Sequence, residues 1–284
     1  MLGALPTEAL VALAGLFGLL IGSFLNVVIY RLPKMMEQQW ASECAGLSGV
    51  PVLAPQAFNL MAPRSRCSNC GHELAWHENI PLVSYIFLRG KCSVCDTPYG
   101  LRYPAVELVT SLLFSFCAWR WGGTVTALAW CGFSAALLAL AVIDWDTTLL
   151  PDDITLPLLW AGLVFAALLL NPQVGLPDAL WGAVAGYMSL WGVYWAFKLV
   201  TGKEGMGYGD FKLLAALGAW LGWQAVLPIV LIASAIGALV GLVMKASGSL
   251  REGRFVPFGP FLVGGGLFVM LAGVPRVLGW MGWA

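Results

Sequence analysis

Two cysteine pairs and a handful of acids are the residues of this chain whose types and spacing could do chemistry. Cys67-Ser68-Asn69-Cys70 and Cys92-Ser93-Val94-Cys95 are C-x2-C pairs with 21 residues between them. Each pair offers two thiolates from one short loop, so the four together can close a tetrahedron around zinc. Four thiolates leave no open coordination position, which makes such a site structural rather than catalytic. Disulfides are the competing reading, and a reducing compartment disfavours them. His72 and His77 lie between the pairs and read as surface histidines or as neighbours of the site, not as fifth ligands. Cys117 and Cys131 fall within apolar runs and read as small buried hydrophobes. Cys44 stands alone and has no assigned role.

The acids of interest are Asp144, in Ile143-Asp144-Trp145-Asp146, and Asp210, which closes Gly205-Met206-Gly207-Tyr208-Gly209-Asp210. Both stand at the ends of apolar runs, where an ionisable group is a functional candidate. Two carboxylates brought together share a proton and titrate as a pair. The ionised member can take a proton from water while the other hydrogen-bonds a scissile carbonyl, which is hydrolysis. Gly207 and Gly209 are expected to supply unusual torsions and close approach of a peptide to the chain. The structural alternative is that Asp210 caps a helix after a glycine turn and Asp144 merely ends one. Spacing alone does not choose between these. Asp146, Asp152 and Asp153 lie near the first acid, and Asp146 is its closest rival.

The elements that must position these residues are set by composition. Hydrophobic residues make up 60% of 284 positions and charged residues 11%, with mean hydropathy +0.82. Soluble domains carry about a quarter charged residues, so the solvent for most of this chain is lipid. A crossing needs about 20 mostly apolar residues. The expected spans are 9–30, 104–121, 125–143, 154–171, 178–200, 211–222, 224–245 and 257–280, the sixth short enough to be tilted or re-entrant. Seven of the fifteen Lys and Arg lie between Arg31 and Arg102. Basic flanks belong in the cytoplasm, which puts residues 31–103 inside and the amino terminus outside. The absence of Lys and Arg before the first run, with Arg31 and Lys34 after it, is the reverse of a cleaved secretory signal. Asp144 and Asp210 then lie at one depth on the inner side. Three stretches are expected: a first span over 1–30, a cytoplasmic zinc-binding segment over 31–103, and a transmembrane bundle over 104–284. Pro104 opens a span in its first turn, and Asp152 or Asp153 can cap the fourth. Gly182 with Gly186, and Gly237 with Gly241, have the spacing of close helix packing.

Taken in order, these motifs resemble a known family. Gly207-Tyr208-Gly209-Asp210 is similar to the GxGD signature of intramembrane aspartyl proteases. Gly22-Ser23-Phe24-Leu25-Asn26 running into Arg31-Leu32-Pro33, the paired cysteines with Glu78-Asn79-Ile80-Pro81-Leu82 between them, Arg102-Tyr103-Pro104-Ala105-Val106-Glu107, and Leu149-Leu150-Pro151-Asp152 narrow it to the type IV prepilin peptidases. The resemblance implies an all-α polytopic protein of the bacterial inner membrane, with Asp144 and Asp210 as the catalytic pair at the cytoplasmic face. It implies cleavage of the basic leader of type IV prepilins and type II secretion pseudopilins after a glycine. It further implies methylation of the new N-terminal residue, typically phenylalanine, from S-adenosylmethionine. Gly22, Asn26 and Glu107 are the residues that could contribute to methyl transfer, and no nucleic-acid partner is expected. A proton-coupled transporter and a zinc-dependent assembly factor without enzymatic activity are the rivals from other classes. A presenilin-type protease is the rival among enzymes, and the cysteine pairs argue against it.

Overall fold

A computed structural model describes residues 6–48, 58–203, 205–248 and 256–283. Arg251 and Arg254, expected in the last inner loop, lie outside them. The chain divides into two compact units, Met1–Ala139 and Leu140–Ala284. The described residues form helices, with no strand beyond two isolated bridges. Helices satisfy every backbone group within the segment, which is what a hydrocarbon solvent demands.

The first unit contains α1 (Thr7–Ser48), a single 3-10 turn (Trp76–Asn79), α2 (Val83–Phe87), α3 (Arg102–Trp121) and the start of α4 (Val125–Thr147). The first helix does not stop near residue 30 as expected. It runs on through Pro33 to Ser48, because Met35 to Ala45 is made largely of good helix formers and Pro33 removes only one ladder bond. A seam of glycines lets α1 lie against α3. A Cβ on Gly18 would stand 2.7 Å from Ser111 Cα, and one on Gly22 would stand 2.6 Å from Glu107 Cα. Ser111 Oγ donates to the Gly15 carbonyl across this seam at 2.9 Å. Pro104 is the third residue of α3, inside its first turn as expected.

The second unit holds the end of α4 with α5 (Asp152–Ala167), α6 (Leu176–Thr201), α7 (Tyr208–Leu221), α8 (Trp223–Ala246), α9 (Gly259–Ala272) and α10 (Val274–Trp280). Short α7 is the centre of this unit, packed by α5, α6, α8 and α9. Every residue from Asp210 to Leu221 except Lys212 is buried. Gly182 of α6 and Gly218 of α7 face each other so closely that a Cβ on either would overlap the other's backbone. Gly186 repeats the device, its Cβ position lying 2.5 Å from the Leu214 carbonyl oxygen. A Cβ on Gly237 would stand 3.1 Å from the Phe261 ring, whereas one on Gly241 would meet open space. On the far side of α7, Trp220 Nε1 donates to the Leu158 carbonyl at 2.8 Å, and Asn171 Nδ2 donates to the Trp220 carbonyl at 3.0 Å.

Three described helices are long and apolar enough to cross a membrane, namely α1, α4 and α8. The expected last span is broken. Gly273, at φ +89°, turns the chain so that α9 and α10 meet at 102°, and this pair makes a fourth crossing only if it counts as one. Helices also occupy the other four expected spans, yet α3, α5, α6 and α7 do not meet the same test of length and apolarity. The fold class is as expected, and the number of eight crossings is not established. The capping expectation fails: α5 has Pro151 at its N-cap, with Asp152 and Asp153 in its first turn and no side-chain cap.

Candidate active site and metal centre

The two C-x2-C pairs fold into nearly identical turns. Cys67 N–H donates to the His72 carbonyl at 2.8 Å and Gly71 N–H to the Cys67 carbonyl at 3.0 Å. In the second pair Cys92 N–H donates to the Thr97 carbonyl at 2.9 Å and Asp96 N–H to the Cys92 carbonyl at 3.1 Å. The fourth residue after the first cysteine is left-handed in both, Gly71 at φ +73° and Asp96 at φ +54°, which short polar side chains and glycine tolerate. The four sulfurs lie within 4.8 Å of one another, with Cys67–Cys95 at 3.7 Å and Cys70–Cys92 at 3.9 Å. Tetrahedral Zn–S bonds of about 2.3 Å put sulfurs about 3.8 Å apart, so the spacing fits a metal of that size. Thr97, through its hydroxyl and backbone N–H, holds the Cys95 thiol down at about 6, with Asn69 Nδ2 adding a contact at 3.7 Å.

Glu78 ties the two turns together. Hydrogen bonds from Ser93 and from the Ala75 N–H, the latter at 2.7 Å, hold its carboxyl down at about 2. His72 Nε2 lies 3.1 Å from the same oxygen, so His72 is a neighbour of the site and not a ligand. His77 is exposed beside the Trp76 ring, and Cys44 is exposed on α1. Cys117 and Cys131 are buried as expected. Arg31, expected only as a basic flank and part of the family motif, is 7% exposed and donates to the Asn59 carbonyl at 2.8 Å and the Pro63 carbonyl at 2.5 Å. It anchors the start of the cysteine segment to α1.

Burial separates the acids. Asp144 and Asp210 are 5% and 7% exposed, whereas Asp146, Asp152 and Asp153 are exposed. Asp146 is two residues along α4 from Asp144, about 200° around a helix, so only one of them can face the interior. Asp152 points outward and makes a two-oxygen ion pair with Lys212 at 2.7 and 2.8 Å. The Leu150 side chain lies beside both Gly209, the neighbour of Asp210, and Gly259, the partner of Asp144, so the two acids share one pocket wall. No Lys, Arg or His side chain is hydrogen-bonded to either among the described residues, and backbone N–H groups serve instead. Gly259 N–H donates to Asp144 Oδ2 at 3.0 Å, and Gly207 N–H donates to the Asp210 carboxylate.

Asp210 does have a structural role of its own. Gly207 is the N-cap of α7 and Asp210 its third residue, so the bond from Gly207 is half of a capping box. The glycines act differently from expectation. Neither Gly207 nor Gly209 has a positive φ. Gly209 is needed for space, since a Cβ there would stand 2.7 Å from Leu150 Cβ. Gly259 was not anticipated from sequence, although Gly-Pro opening an apolar run is a helix-start signal. A Cβ on Gly259 would stand 2.5 Å from Asp144 Oδ2. The bare backbone of the first turn of α9 therefore seats the first carboxylate.

Gly22, Asn26 and Glu107 come together at the α1–α3 seam of the first unit. Gly22 is where Glu107 Cα closes on α1, so its missing side chain is used for packing. Glu107 is buried and accepts from the Leu82 N–H at 2.9 Å and from the Ser23 hydroxyl. Asn26 Nδ2 donates to the Tyr103 carbonyl at 3.1 Å, and its buried Oδ1 has no hydrogen-bond partner among the described residues.

Comparison with known proteins places these features in a family. A model of the bacterial peptidase A24 N-terminal domain matches residues 16–121, and that of the type IV leader peptidase family matches residues 131–242. A prepilin leader peptidase/N-methyltransferase of Pseudomonas putida is 50% identical over 95% of this chain and 93% of its own. One from Pseudomonas aeruginosa is 52% identical over 91% and 89%, and one from Burkholderia pseudomallei 50% over 97% and 89%. No solved structure matches the chain.

Proposed function

This chain belongs to the type IV leader peptidase family, and we propose from that premise that it is an integral membrane aspartyl endopeptidase of the bacterial inner membrane. It removes the basic leader of type IV prepilins and type II secretion pseudopilins after a glycine and then methylates the new N terminus. The observation that carries the assignment of residues is the burial of Asp144 and Asp210 together, away from every other acid of their segments.

Two carboxylates in one buried site hold a single proton between them. The ionised member takes a proton from water as the water oxygen bonds to the scissile carbonyl carbon. The protonated member donates to the carbonyl oxygen. Collapse of the tetrahedral species breaks the C–N bond, and the departing amine carries the proton that water gave up. The backbone N–H groups of Gly207 and Gly259 fix the carboxylates in orientation without adding a countercharge that would lock them ionised.

Zinc is the metal whose size and ligand preference suit Cys67, Cys70, Cys92 and Cys95, and it acts as a staple for the segment around them. The excess of Lys and Arg in that segment supports its placement on the cytoplasmic side, with the active site at the same face. The substrate's own apolar helix lies alongside the bundle in lipid. S-adenosylmethionine supplies an electrophilic methyl group when bound. Glu107 is the buried acid available to hold the new N-terminal ammonium, Asn26 Oδ1 a free acceptor beside it, and Gly22 the position that lets the seam close.

The deciding experiment is cleavage of a synthetic prepilin in detergent by wild type, Asp144→Asn, Asp210→Asn and Asp146→Asn, with zinc content measured in each. Loss of an acid–base group costs on the order of 10^3-fold or more in rate. The first two variants lose cleavage on that scale with zinc retained, and Asp146→Asn keeps it. Normal cleavage by either of the first two makes that residue a helix-end structural group and overturns the pair.

A further inference from the structure

Between the two cysteine pairs lies a short apolar helix that none of the described residues of the first unit covers. Val83, Ile86 and Phe87 are three of the five residues of α2, and Ile86 and Phe87 are 72% and 83% exposed. Large apolar side chains exposed side by side mark a surface that meets something apolar. Arg89 and Lys91 follow and are exposed, and no acid occurs between Glu78 and Asp96. The helix and its flank are thus apolar and cationic together.

Where α2 sits is fixed by the hydrogen bond at its start. Leu82, the residue before it, has φ +57°, a left-handed conformation that strains a leucine. The Leu82 N–H donates to Glu107 Oε2 at 2.9 Å, which holds that turn in place. Glu107 is in the second turn of α3 and also accepts from Ser23 of α1. A Cβ on Gly22 would stand 2.6 Å from Glu107 Cα, so Gly22 and Glu107 lie at one level of the α1–α3 seam. Gly22 is eight residues before Tyr30, the end of the apolar run in α1, which is about 12 Å along the helix. That is farther than a glutamate side chain and one hydrogen bond can reach. The start of α2 is therefore held within the apolar zone of α1, short of its basic end at Arg31. Five helical residues span only about 7.5 Å, so Ile86 and Phe87 stay close to that anchor.

We propose that α2 is an interfacial helix lying in the inner leaflet, with Ile86 and Phe87 among the acyl chains and Arg89 and Lys91 at anionic phosphates. The proposal rests on the reading above that α1 spans the membrane with Arg31 on the cytoplasmic side. A lipid surface suits the charge as well as the apolarity, since basic residues beside exposed aromatic and aliphatic ones are the composition that docks on anionic lipid. Five residues alone would bind a bilayer weakly. Here the chain is already tied to α1 through Arg31 and to α3 through Glu107, so α2 has only to settle into the leaflet beside them. It then gives the cysteine segment a further attachment, which fixes its tilt over the inner surface.

The test places a photoreactive benzoylphenylalanine at position 87, 16 or 47 of the full-length protein in vesicles of phosphatidylethanolamine and phosphatidylglycerol. Leu16 is exposed in the middle of the apolar run, and Leu47 is exposed on α1 seventeen residues beyond Tyr30. Irradiation should add a phospholipid mass at position 16 and none at position 47. Position 87 should add phospholipid in a yield comparable to position 16. The ratio of anionic to zwitterionic lipid in that adduct should exceed the vesicle's by about fivefold, the scale of one basic residue at an anionic surface. Arg89→Gln with Lys91→Gln should return the ratio to that of the vesicle. Elution as a single species reports that each variant is folded, and position 86 replaces 87 if that variant is not. An adduct at position 16 but none at 87, or one at 87 to a protein chain instead of lipid, overturns the interfacial helix. An unchanged lipid ratio in the double variant overturns the placing of Arg89 and Lys91 at the phosphates. No adduct at position 16 overturns the membrane-spanning reading itself.

Discussion

The cysteine segment and the carboxylate site are built on opposite plans. The cysteines sit in two turns whose hydrogen bonds close within six residues, and each turn would be recognisable in isolation. The carboxylate site takes one acid from the end of α4, another from the first turn of α7 and a backbone N–H from the first turn of α9. Asp144 and Gly259 are 115 positions apart, and no local pattern connects them. Cysteine chemistry is strong enough to fold its own surroundings around a metal. Carboxylates repel, so a rigid framework must hold them together.

The contrast predicts where each region breaks. The largest effect is metal loss. Cys67→Ser with Cys92→Ser should release zinc and unfold residues 58–101, since structural zinc contributes about 10–16 kcal/mol at neutral pH. Zinc content and protease susceptibility of that segment report the outcome, and a protected segment without metal would show that it folds on its own core. Next is Gly218→Val, which drives a side chain into the backbone of α6 at Gly182. It should cost about 3 kcal/mol, read as a fall in thermal midpoint in detergent with zinc retained. Gly259→Ala should be gentler on stability yet lower kcat about 10^2-fold, because it displaces Asp144 Oδ2 from its seat. An unchanged kcat there would mean that Asp144 works from another position. The smallest effect belongs to Lys212→Met. Its pair with Asp152 is solvent-exposed and worth no more than about 1 kcal/mol, so stability and cleavage should change little. A large loss of cleavage would show that burial is the wrong criterion for sorting these acids.

Much of this was legible in the residues themselves. The C-x2-C spacing, the apolar cores of the long helices, and the two acids worth testing could be read because each rests on a short-range pattern. The extension of α1 to Ser48 could not, because a hydropathy window ends at Tyr30 while helix propensity does not. The 102° break between α9 and α10 was hidden because one glycine within an apolar run looks like a packing residue until its φ is known. Gly241 shows the converse, a correct motif spacing with no partner opposite it.

The sequence by itself determined the apolar character, the apolar helices and the cysteine quartet that could hold a metal, because composition, helical periodicity and paired thiols act over a few residues. Only the tertiary structure decided which of two acids two positions apart faces inward, and that Gly209 and Gly259 are there for space. It also decided that the Tyr194 ring packs against Tyr208 and Phe211, the residues that flank Gly209-Asp210. Those outcomes depend on what packs across from each residue, and that partner lies on another helix or loop, beyond the reach of any local pattern.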